Sequence, residues 1–97
     1  MSNPHLHHIV MEGAFAHWRS ANRRLVTRSR AILRRHGIDL QGTRNVMWAP
    51  NEGHSVEYAR EVHRVLAAAD WRGTAAVERA LGRLRTRIAK GTLLRST

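Results

Sequence analysis

The sequence predicts a small α+β domain that is mainly helical: two short strands around an inserted basic helix, then two further helices. Three observations lead there. Apolar residues recur at helical spacing in three separate stretches. Two short segments, each bounded by turn-forming residues, read as strands instead. Ninety-seven residues at 42% hydrophobic and 25% charged leave room for one core and one domain, residues 1–97. A core of that size supplies only ~3–5 kcal/mol, so a bound metal or partner would matter for stability.

The elements follow in order. His5 to Val10 (HLHHIV) is short and rich in β-branched and imidazole side chains, and reads as a strand over 5–10. Ala14, Trp18, Ala21, Leu25, Ala31, Ile32 and Leu33 recur near helical spacing and predict a helix over 14–36, stopped by Gly37 with cations in its last turn. Gly37 to Thr43 is turn-rich. Asn45 to Ala49 (NVMWA) reads as a second strand over 45–49, closed by Pro50-Asn51-Glu52-Gly53. A helix over 54–69 carries Tyr58, Val62, Val65 and Leu66 on one face, and Asp70-Trp71-Arg72-Gly73 breaks it. The last helix, over 74–90, is predicted by the stripe Val77, Leu81, Leu84, Ile88, with Thr74 as N-cap and Gly91 as C-cap.

Charge narrows the partners. Seventeen Lys+Arg against seven Asp+Glu leave a formal charge of +10, which points to a polyanion. Lys90 is the only lysine, and arginine's planar fork suits bidentate contact with phosphate. A genome rich in G and C explains the Arg/Lys ratio equally well, but not the shortage of acids. No acid stands between Glu12 and Asp39, the interval that holds Arg19, Arg23, Arg24, Arg28, Arg30, Arg34 and Arg35. These seven are the candidate DNA-binding residues, and RNA fits the same chemistry. The absence of Cys excludes disulfides, thiolate zinc sites and thiol catalysis. No apolar run approaches ~18 residues, so no membrane insertion is expected, and no signal peptide is read.

Seven histidines are many for this length. His5, His7 and His8 crowd the first strand, and His54 opens the helix after the second. Imidazole is both a common metal ligand and a general base near neutral pH. One ring could hold a metal while its neighbour activates water. His63 falls about 180° around the helix from His54 and cannot share its site, whereas Tyr58 lies on the same face as His54. Alternation puts His5 on the strand face of His7, as an additional candidate ligand. His17 and His36 read as surface residues of the basic helix.

His7-His8-Ile9-Val10, the run Ala31 to Asp39 (AILRRHGID), the run Asn45 to Asn51 (NVMWAPN) and Gly53-His54-Ser55 with Tyr58 together resemble the HNH, or ββα-metal, nucleases. The likeness is to the AHH-like branch found as toxin domains of bacterial polymorphic toxins. It spans His7 to Gly91 and implies a ββα-metal core. It implies that His7 and His54 are metal ligands, that His8 is the general base, and that Asn45 orients the catalytic imidazole; Tyr58 stands where some relatives carry another histidine. Met11 replaces a proline of the pattern, and Pro50 stands where many relatives have a further histidine. Two imidazoles make a poor zinc site, which favours magnesium, with zinc, nickel or manganese as alternatives. The implied activity is metal-dependent endonucleolytic hydrolysis of DNA with low sequence specificity. The implied setting is the cytoplasm of a target bacterium, reached as part of a larger secreted toxin, with an acidic immunity protein as partner. The competing expectation is a basic nucleic-acid-binding module without catalysis.

Overall fold

The computed structural model describes residues 4–11, 15–50 and 55–91, with the backbone alone at 4–6 and 48–50. The fold is α+β and mainly helical, with three helices and a two-stranded antiparallel sheet. β1 (Pro4–His8) pairs with β2 (Val46–Pro50) in a register that sets Pro4 opposite Pro50 and His8 opposite Val46. α1 (Ser20–Arg35) is inserted between the strands, and α2 (Val56–Asp70) and α3 (Thr74–Lys90) follow.

Several boundaries differ from the sequence reading, each for a local reason. The first strand stops at His8 rather than Val10. Ile9 N–H still bonds Asn45 O at 2.8 Å, but Val10 N–H takes the side-chain Oδ1 of Asn45 in place of a strand carbonyl. The basic helix begins at Ser20, not at 14. Trp18 N–H bonds Phe15 O at 2.9 Å to close a turn, and Phe15 sits at φ 50°, which a right-handed helix does not accommodate. No side chain caps this helix at Arg19. The Arg23 guanidinium instead reaches back to the carbonyls of Ala16 and Trp18, covering acceptors ahead of the first turn. α2 starts at Val56 because Ser55 is its N-cap, its Oγ accepting from Tyr58 N–H at 3.0 Å. Gly73, at φ 107°, is the residue before α3; Thr74 is its first helical residue and turns its hydroxyl elsewhere. Gly91 closes α3 in the left-handed conformation.

α2 is the central helix, packed between α1 and α3. Its buried stripe of Ala59, Val62, Leu66 and Ala69 meets Ile32 and Leu33 of α1 on one side and Val77, Leu81 and Leu84 of α3 on the other. Ala59 and Ala69 of α2 and Ala76 and Ala80 of α3 are buried in the same core. Ile9, Val10 and Met11, just past β1, are at most 2% exposed and anchor the sheet to this core.

Two carboxylates tie the helices together. Glu61 receives Arg64 of its own helix at 2.7 Å and Arg87 of α3 at 2.9 Å. The bond from Arg64, then that from Arg87, outweighs desolvation and holds its carboxyl down to about 2. Asp70 takes Arg35 and the His36 ring, which together lower its carboxyl below the ordinary range. His36 is therefore not a free surface residue: its side chain is 13% exposed, and its other ring nitrogen lies 2.8 Å from Thr74 Oγ1. One ring joins the ends of all three helices.

An acid-stability prediction follows with a definite sign. Depressed carboxyls contribute stability that is complete above their ordinary range of ~4 and is lost as pH falls toward their folded values. The contribution of these two carboxyls to the Tm should hold from ~pH 7 to 5 and decline below ~4. The Glu61→Gln, Asp70→Asn double variant should start lower at neutral pH and decline less steeply. An unchanged acid transition in that variant would place the acid sensitivity in other groups.

Candidate histidine site on the strand pair

β1 delivers His7 and His8 side by side, and strand alternation sends them to opposite faces. His7 meets α2. Its Nε2 lies 3.1 Å from Tyr58 Oη, and the two rings are set edge to face at 5.8 Å and 84°. Tyr58 is 6% exposed, and burial pushes its phenol well above the ordinary range, so the hydroxyl keeps its proton. That proton is donated to Ile9 O at 2.7 Å. Tyr58 Oη therefore accepts from His7, which places a proton on Nε2.

His8 meets the connection between α1 and β2. Its Nε2 lies 2.7 Å from Gln41 Oε1, an oxygen that can only accept. His8 Nε2 is therefore the donor in this bond. Gln41 sits on a turn built by Asp39, whose carboxylate accepts Gln41 N–H at 3.0 Å while its carbonyl accepts Gly42 N–H at 2.9 Å.

Asn45 locks these two segments together. It is 0% exposed, and its side chain accepts from Val10 N–H at 2.8 Å and donates to Val10 O at 3.1 Å and Leu40 O at 2.8 Å. Val10 lies two residues past His8, and Leu40 lies one before Gln41. Asn45 thus acts on His8 through backbone, holding both the strand that carries the imidazole and the turn that carries its partner. Arg85 of α3 reinforces the same corner, donating to Val46 O at 2.9 Å and Thr43 O at 2.5 Å. Gln41 and Arg85 escaped the sequence reading. Asp39 two residues before Gln41 is a turn signal, but nothing local says which side chain the turn presents.

His54 lies outside the described residues, as does the side chain of His5. The structure brings His7 and Tyr58 together and places His8 against Gln41. Among the described residues no group of three or more His, Cys, Asp or Glu is gathered as a metal site. What the described part offers a cation is one imidazole whose outer nitrogen is held by a tyrosine, an arrangement that suits a metal-ligating histidine.

The seven arginines of the basic helix and its start divide into two groups. Arg23 binds backbone ahead of α1, Arg30 donates to Met11 O at 2.7 Å, and Arg35 pairs with Asp70. Arg19, Arg24, Arg28 and Arg34 are exposed and pair with no carboxylate among the described residues. Arg28 stands near His63, and its charge adds to desolvation in lowering that imidazole's proton affinity. Among the described residues no helix is long and apolar enough to cross a membrane. Comparison with protein-family models, curated proteins and solved structures found no match to this chain.

Proposed function

We propose that this chain is an HNH-type, metal-dependent endonuclease that hydrolyses DNA phosphodiesters with low sequence specificity, a bacterial toxin domain restrained by an acidic immunity protein. The observation that supports it most is the pair of strand histidines, each held through Nε2 by a different element. In this reading His8 removes a proton from the attacking water, an effect worth ~10²–10⁴-fold. Gln41 holds the ring in the required tautomer, and Asn45 holds the backbone on which both depend. His7, together with His54, would hold the divalent ion, magnesium foremost, which supplies charge neutralisation at the phosphoryl oxygens. Tyr58 keeps the His7 ring oriented.

The unpaired arginines, Arg19, Arg24, Arg28 and Arg34, would carry the phosphate contacts. Neutralising Arg24, Arg28 and Arg34 together should weaken duplex binding uniformly across sequences. It should also flatten the slope of log K against log salt by about 0.9 per lost phosphate contact. Arg23→Gln should instead lower the Tm, since Arg23 holds backbone. Equal salt slopes in the triple variant and the parent would remove this surface from DNA binding.

Supercoiled-plasmid nicking with and without EDTA tests the reading as a whole. Nicking that EDTA abolishes and magnesium restores is the expected result. Binding without nicking at any divalent concentration would leave the non-catalytic nucleic-acid module.

A further inference from the structure

A groove runs between α2 and α3, away from the strands. Val65 and Ala68 of α2 face Arg83 of α3 along its length, and its wider end encloses about 320 Å³. Every lining residue comes from α2, α3 or Arg72 between them, and none is acidic.

Two features of this groove call for an occupant. The first is charge. Arg64 and Arg87 at one end share the Glu61 carboxylate, whereas Arg72, Arg79 and Arg83 are exposed and pair with no carboxylate among the described residues. Arg79 and Arg83 stand four apart on one helix, ~6 Å along its axis, so the unpaired charge forms a row and not a point. The second is apolar surface. Val65, Ala68 and Leu84 contribute to the lining. Trp71 does not line the groove but precedes the lining residue Arg72, and at 81% it is the one large hydrophobic side chain so exposed among the described residues. Tryptophan and arginine are the residue types that dominate binding energy at protein interfaces.

We infer that this groove docks an acidic amphipathic helix of another protein, its apolar stripe over Val65 and Ala68 and its carboxylates on Arg72, Arg79 and Arg83. A helix of that kind answers both features at once. A nucleic-acid backbone would answer the arginines while leaving solvated phosphates above an apolar floor. A second copy of this chain, at +10, would bring like charge to a basic row. The inference does not depend on the nuclease reading, because the groove shares no residue with the histidine site.

The test uses the whole ¹⁵N-labelled protein and a synthetic helical peptide of about 18 residues with a Leu/Ala stripe flanked by glutamates. Saturable shifts should appear at the Trp71 indole and at α2 and α3 amides lining the groove. The variant R72Q/R79Q/R83Q, whose changes are all exposed, should keep its Tm and lose affinity by at least about tenfold. Trp71→Ala should weaken the peptide by a similar factor, and a peptide with glutamine for every glutamate should bind far more weakly. Shifts confined to α1, or a triple variant that binds within threefold of the parent, would overturn the inference. So would a DNA duplex that shifts the same groove resonances, displaces the peptide and loses affinity in the triple variant, since that outcome assigns the groove to nucleic acid. Loss of nicking in the plasmid assay has no bearing on any of these readouts.

Discussion

Replacing His8 with alanine should reduce phosphodiester cleavage by ~10²–10⁴-fold while duplex DNA binds as tightly as before. On the proposed function the two effects separate because a general base acts on the transition state, whereas affinity would rest on exposed arginines remote from the imidazole in sequence. The Tm should barely move, since the His8 side chain is only half-buried and it bonds the exposed Gln41. Gln41→Ala supplies the graded companion. The imidazole remains, but nothing on Gln41 selects the Nε2–H tautomer, so cleavage should fall by an intermediate factor, nearer tenfold. Single-turnover cleavage of a labelled duplex, with binding measured on the same samples, checks both. Cleavage by His8→Ala within threefold of the parent would move the base to another residue.

Asn45→Ala should be among the most destabilising single changes in the described structure, for a reason unrelated to hydrophobic volume. The side chain satisfies Val10 N–H, Val10 O and Leu40 O from a position with no exposure. Removing it strands buried backbone groups, each at ~1–3 kcal/mol, so a loss of about 3 kcal/mol is a conservative expectation. A domain of this length has ~5–15 kcal/mol in all, and the Tm should fall by roughly 12–24 °C. Asn45→Asp is the instructive partner. It keeps an acceptor for Val10 N–H but turns a donor toward two carbonyls into an acceptor, and should recover only part of the loss. Thermal unfolding of the three proteins decides it. A drop below ~1 kcal/mol in Asn45→Ala would mean that strand and turn hold together without this clamp.

The sequence by itself determined the order of elements, because the signals involved are short-ranged. A stripe at Val77, Leu81, Leu84 and Ile88 with Gly91 behind it is α3 whatever else the chain does, since helical spacing and a left-handed cap act within a few residues. The excess of arginine and the histidines of the first strand were equally plain. Boundaries were less legible where a distant group replaced a local one. Val10 left the strand for a side chain 35 positions away, and α1 started late because Phe15 turns the chain and Arg23 takes up the carbonyls ahead of it.

Partnership is what only the tertiary structure decided. Seven arginines look alike in sequence, yet Arg30 and Arg35 are bound to the fold while Arg24, Arg28 and Arg34 are left for solvent or ligand. His36 reads as a surface cation and becomes a joint between three helix ends. Tyr58 meets His7 across 51 positions, and Gln41 meets His8 across 33. Such pairs form when the chain closes on itself and a buried donor must find whichever acceptor the packing brings near. No local period encodes that choice, so the histidines and Tyr58 were visible in the sequence while Gln41, and which group meets which histidine, were not.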